Sequence, residues 1–202
     1  MQERARWIAQ TGIFLALLVV AQIATRPFGN QILTGSLNNM LFILAVMLLG
    51  LSSATVLAVV SPVLGTVMGV GPLWPFIPVI IAGNIALIVL WHFIRAKGNG
   101  CVRAKQKGAI HDHKWKVHEH KGTVRAIHHR CITALIVAAI VKFLILYFGI
   151  VRFIVPLVLG LEEPQASVVS AAFSWPQIIT ASIGGVLALL LSPALSKTLP
   201  KI

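Results

Sequence analysis

The chain has 202 residues, 57% of them hydrophobic and 11% charged, and carries a formal net charge of +12. A mean hydropathy of +0.90 excludes an ordinary soluble domain and reads as a polytopic, all-α membrane protein. That length gives one compact membrane domain, residues 1–202, with no room for a soluble catalytic or ATPase domain beside it.

Apolar runs predict six membrane-spanning helices, at about 7–25, 37–50, 53–70, 75–94, 131–154 and 175–195. The first follows Arg4 and Arg6 as a signal peptide would, but no Ala-x-Ala cleavage pattern precedes Arg26 and further spans come after it, so it is kept as a helix. Along it Ala5, Ala9, Gly12 and Ala16 recur at spacings of 4, 3 and 4, which puts small residues on one face. Such a face admits another helix backbone, within this chain or in a partner subunit. The link at 26–36 is polar, kinked by Pro27 and hinged by Gly29 and Gly35, and reads as an external loop able to cover a pocket.

The second span, opened by Asn38 and Asn39, is expected to be short, since 14 residues reach only about 21 Å. Pro62, Gly65 and Gly69 should bend the third or let a neighbour approach it. The fourth carries Asn84 half-way along and follows the stiff link with Trp74 and Pro75. A basic stretch, about 96–130, comes next and reads as a solvated cytoplasmic loop. Its six histidines, His111, His113, His118, His120, His128 and His129, lack a Cys-x-x-Cys or His-Glu-x-x-His pattern, so no metal site is assigned to them. Cys101 and Cys131, in or beside this loop, are not expected to pair. Residues 155–174, with Glu162 and Glu163, form the last outer link and a second potential lid; Trp175 and Gln177 then open the sixth span.

Orientation follows from charge. Fourteen of the 17 basic residues fall at the amino terminus, in the 95–130 stretch or at the carboxyl terminus, whereas Arg26 and Arg152 lie on the opposite side. The positive-inside rule therefore puts both termini and the basic loop in the cytoplasm. This distribution accounts for the net charge without nucleic acid as a partner, because anionic lipid headgroups attract such a loop.

Lys142 is the most informative residue. It is the twelfth of 21 otherwise uncharged residues, 131–151, and an intramembrane charge is a functional hypothesis by default. Its head cannot snorkel to a helix end roughly 13 to 17 Å away at 1.5 Å per residue. All five acidic residues lie outside the spans, so its partners must be amides, carbonyls, water, a folded-in loop acid or an anionic ligand. A lysine left neutral, or bonded only to helix carbonyls, is the structural alternative. Ala138, Ala139 and Gly149 leave space beside it for a bound molecule or for close helix packing. Asn38, Asn39, Asn84 and Gln177 are the amides able to share its cavity. No phosphate loop, nucleophile elbow or zinc-protease signature occurs, and no span offers paired carboxylates, so catalysis is not expected.

Thr34-Gly-Ser-Leu-Asn-Asn39, Pro75-Phe-Ile-Pro78 followed by Gly83-Asn84, Lys142-Phe-Leu-Ile-Leu-Tyr147, and Ser174-Trp-Pro-Gln177 with Gly184-Gly185 together resemble the S components of energy-coupling-factor vitamin transporters. The likeness covers nearly the whole chain except the basic loop. It implies a six-helix, multi-pass protein of a prokaryotic cell membrane that captures a vitamin from outside, docks on a transmembrane coupling subunit bearing two ATPases, and releases its cargo inward. No cofactor is implied in this chain, ATP and Mg belonging to the ATPases. Ala5 and Ala9 match the family's Ala-x-x-x-Ala docking motif, with Gly12 and Ala16 extending the face. The family's pocket implies Arg26, Asn39, Trp74, Asn84, Lys142, Tyr147, Trp175 and Gln177 as substrate contacts.

Among S components the chain looks most like the pantothenate-specific ones, which fits a small monoanion held by Lys142. Cobalamin, folate or hydroxymethylpyrimidine are the alternatives, although a neutral pyrimidine leaves Lys142 unexplained. From a different class, an integral membrane enzyme or accessory protein would use the basic, histidine-rich loop to bind phospholipid or metal.

Overall fold

The break after the first helix shows how local chemistry sets the architecture. Helix α1 (Gln2–Thr25) stops where Pro27 lacks an N–H and disfavours helix at the residue before it. A 3-10 turn, Arg26–Phe28, and Gly29 at a φ of 56° then reverse the chain. The Asn30 side chain accepts from the N–H groups of Ile32 (2.9 Å) and Leu33 (3.3 Å), capping the next helix. The computed structural model describes residues 2–108, 118–160, 162 and 164–198.

That cap corrects the sequence reading of the second span. Helix α2 runs Gln31–Leu48, 18 residues, beginning six residues before the expected start at 37. Its first turns resemble a loop in sequence because they are polar, and Ser36 and Asn39 are buried against protein and not lipid. Asn38 and Asn39 are consequently interior to the helix. The short span is instead α3 (Leu51–Val67), whose 17 residues reach about 25 Å. Gly50, at a φ of 94°, turns the chain between the two.

After a 3-10 turn at Trp74–Phe76 comes α4, Ile77–Gly108. Next is α5, His118–Leu146, continued as a π-helix over Tyr147–Leu159. The expected 96–130 loop is thus corrected: its flanks, 97–108 and 118–130, are helical, while His111 and His113 lie outside the described residues. Beyond Gly160 the expected outer link contains a further helix, α6 (Gln165–Ala172), and α7 (Pro176–Thr198) closes the fold. Among the described residues five stretches are long and apolar enough to cross a membrane: Arg4–Phe28, Gln31–Leu48, Trp74–Arg95, Cys131–Leu159 and Gln165–Ser192. No strand occurs among the described residues.

The main core packs Phe14 and Leu18 of α1 with Phe42, Ile43 and Leu44 of α2, Leu57 of α3, Leu87, Ile88 and Trp91 of α4, and Ala134 and Ala138 of α5. A second cluster joins Phe76, Leu146, Ile150 and Ile154 to Val169 and Phe173 beside α6, with the rings of Phe76 and Phe173 edge to face at 5.5 Å. Ala138 and Ala139 are buried in the main core, and a Cβ on Gly149 would crowd Val79, so these small residues serve helix packing and do not open space beside Lys142. Main chains approach closely between α2 and α7. A Cβ at Gly184 would lie 2.6 Å from the carbonyl oxygen of Ser36 and 2.8 Å from the amide nitrogen of Met40. The outer surface is apolar, with Ile8, Ile13, Leu17 and Val20 on α1 and Phe148, Phe153 and Leu157 after α5 exposed, as suits a lipid environment.

Candidate functional site

One face of α2 is built unlike the rest of the bundle. Gln31, Thr34, Gly35, Asn38, Asn39 and Phe42 recur at i, i+3, i+4, i+7, i+8 and i+11, and all line a cavity of about 520 Å³. The carboxyl end of α1 adds Gln22, Thr25 and Arg26, α3 adds Ser61 and Pro62, and the following turn adds Val70 to Leu73. Phe76, Ile80 and Asn84 contribute from the α4 side, Lys142 and Leu146 from α5, Val169 and Phe173 from α6, and Gln177 from α7. The cavity therefore occupies the end of the bundle away from the start of α1 and the finish of α7.

Lys142 is 5% exposed and meets two neutral oxygens. Its Nζ donates to Asn39 Oδ1 at 2.5 Å and to Asn84 Oδ1 at 2.8 Å, drawing α2, α4 and α5 together. The Asn39 Nδ2 donates to Thr180 Oγ1 at 3.3 Å, and that hydroxyl donates to the Gln177 carbonyl at 3.1 Å. Gln177 Nε2 in turn donates to the Ala172 carbonyl at 3.1 Å, so the network runs from the cavity floor to the end of α6. Asn38 also faces the cavity, and its buried Oδ1 has no partner among the described residues. No Asp or Glu is among the described lining residues; the cationic ones are Arg26 and Lys142.

Of the residues expected at the site, Lys142, Asn39, Asn84 and Gln177 are brought together and buried, and Arg26 lies exposed at the rim. Trp74, Tyr147 and Trp175 do not line the cavity. Trp74 and Trp175 are each 61% exposed, since both sit in turns and point outward. Tyr147 follows Lys142 by five residues, about 140° around an α-helix, and stacks on Phe143 with centroids 5.6 Å apart. Sequence reasoning missed Gln22, Thr25, Thr34 and Ser61. The signal was a polar side chain within an apolar run that must find a partner: Gln22 Nε2 donates to Ser61 Oγ at 3.5 Å, and the Thr25 and Thr34 hydroxyls pair at 2.6 Å.

Fold and surface define a multi-pass helical membrane protein with a polar cavity at one end. Over residues 6–196 the sequence matches the model of the family described as ECF transporter, substrate-specific component, and the chain belongs to that family. It is accordingly the substrate-binding component of an ECF-type importer, a transporter subunit of a family that works with a small-molecule substrate and with coupling and ATPase subunits. No curated protein and no solved structure matches the chain.

Proposed function

We propose that the chain captures pantothenate from outside the cell and delivers it inward while docked on the coupling subunit and its two ATPases. The Lys142 ammonium carries this reading: it is buried, lines the cavity and bonds only to neutral amide oxygens among the described residues. An ammonium has three N–H donors, and Asn39 and Asn84 take two. The third is left for a cargo oxygen. A carboxylate there makes a charge-assisted hydrogen bond where water no longer weakens it, and offsets the cost of a buried charge. The hydroxyls and amide of pantothenate suit the side chains of Gln22, Asn38 and Gln177. A neutral pyrimidine leaves the ammonium unanswered, and a corrinoid is too bulky for about 520 Å³.

The positive-inside rule, applied to the basic residues before α1, between α4 and α5 and after α7, puts that end of the bundle in the cytoplasm. The cavity then faces the outside of the cell membrane, where the vitamin arrives.

Titration calorimetry of the detergent-purified chain with a vitamin panel that includes folate tests the reading. Pantothenate is expected to bind best, with Lys142→Ala and Lys142→Gln each weakening it at least tenfold, about 1.4 kcal/mol. Unchanged affinity in both variants rejects the carboxylate anchor, and tighter binding of another vitamin rejects pantothenate.

A further inference from the structure

An asparagine amide has two unlike ends, and half a turn about its last torsion exchanges the acceptor for the donor. At Asn39 this choice decides what Lys142 meets. The oxygen accepts from Lys142 Nζ at 2.5 Å, while Nδ2 donates to Thr180 Oγ1 at 3.3 Å. Thr180 spends its single hydroxyl proton on the Gln177 carbonyl at 3.1 Å, so only its lone pairs are turned to Asn39. Those lone pairs accept the NH2 end of the amide and reject the oxygen. The nitrogen of Asn84 has no such partner among the described residues, so of the two oxygens on Lys142 only that of Asn39 is locked by a third group.

Two glycines put Thr180 there. A Cβ at Gly35 would lie 2.9 Å from Thr180 Cγ2, and one at Gly184 would lie 2.8 Å from Asn39 Cβ. Without either side chain, α7 comes close enough to α2 for the hydroxyl to reach the amide. Thr180 itself is 1% exposed and is not among the residues lining the cavity.

We infer that Thr180 is a positioning residue of the anion site: it fixes the Asn39 amide, and through it the Lys142 ammonium, without touching the cargo. The inference deepens the carboxylate-anchor reading of Lys142 and rests on it. The test measures affinity for pantothenate and for pantothenol, in which an alcohol replaces the carboxylate, in the wild type, Thr180→Val, Thr180→Ser and Lys142→Gln. The wild type should prefer pantothenate, and Lys142→Gln should lose that preference. Thr180→Val should weaken pantothenate about fivefold, the worth of one hydrogen bond, and leave pantothenol within about twofold. Thr180→Ser, which keeps the hydroxyl, should restore wild-type affinity.

Wild-type affinities in Thr180→Val, equal loss for both ligands, or a serine variant as poor as valine overturns the inference. A wild type without the preference, or a Lys142→Gln variant that keeps it, rejects the reading of Lys142 instead. A cargo-free double-mutant cycle then decides on Thr180. The melting shifts of Thr180→Val and Lys142→Met should be non-additive, the double variant resembling the worse single one, whereas additive shifts overturn the coupling.

Discussion

A buried ammonium can be met by a carboxylate or by neutral dipoles, and Lys142 is met by asparagine oxygens at 2.5 and 2.8 Å. The choice matters because a carboxylate would neutralise the site from within, whereas amide oxygens hold the ammonium in place and leave its charge uncompensated. Asn84→Asp tests that distinction with almost no change of shape. An aspartate at this position pairs with Lys142 and repels an incoming anion, so pantothenate affinity should fall at least about tenfold while the melting temperature holds or rises. Calorimetry and a detergent melting curve read the two effects separately. Unchanged affinity would mean that Lys142 does not meet the cargo's charge.

At the scale of elements, α2 and α7 share the seam that matters most. Gly184 faces the Ser36 carbonyl and the Met40 amide, both main-chain groups that no rotamer change can move. Gly184→Ala should therefore destabilise the protein by about 1 to 3 kcal/mol and weaken cargo binding, since the α7 backbone carries Thr180. Gly12→Ala is the control: its Cβ would meet nothing within 4 Å and alanine favours helix, so its melting temperature should hold or rise. The seam also shows what sequence could and could not tell. Gly184 and Gly185 were visible as small residues, but hydropathy started α2 at 37 and not Gln31, because Gln31, Thr34 and Ser36 are polar and only the tertiary fold shows Ser36 buried and Gln31 and Thr34 lining the cavity. The cap by Asn30 was the overlooked local cue. Residues 97–108 and 118–130 fared likewise: charge identified them as non-membrane, which is no statement against helix.

At the scale of the molecule, α1 turns Ala5, Ala9, Gly12 and Ala16 outward, together with Ile8, Ile13 and Leu17. The small-residue face is thus available to another protein and is not spent on internal packing. Ala9→Trp or Gly12→Trp should leave pantothenate affinity unchanged and prevent co-purification with the coupling subunit and ATPases; survival of the complex in both variants would exclude this face as the docking surface. None of the four small residues lines the cavity, so docking through this face would be separable from cargo binding by mutation. Sequence located the centre of the cavity through Lys142, Asn39, Asn84 and Gln177, each a polar group without an obvious solvent. Aromatic identity drew attention to Trp74 and Trp175, which stand outside the wall, while Phe42 and Phe76, both buried, and the partly buried Phe173 line the space.

The contact of Gly184 with the main chain of the opposing helix has a bearing on how such a binding protein can change its cargo. A side-chain contact is negotiable, since a larger residue on one side can be answered by a smaller one on the other. A contact between main chains leaves nothing to exchange. Substitutions that retune the cargo are then confined to the rim and to the α6 side, around Arg26, Val169 and Phe173, while the α2–α7 seam stays fixed as the reference against which every new pocket is measured.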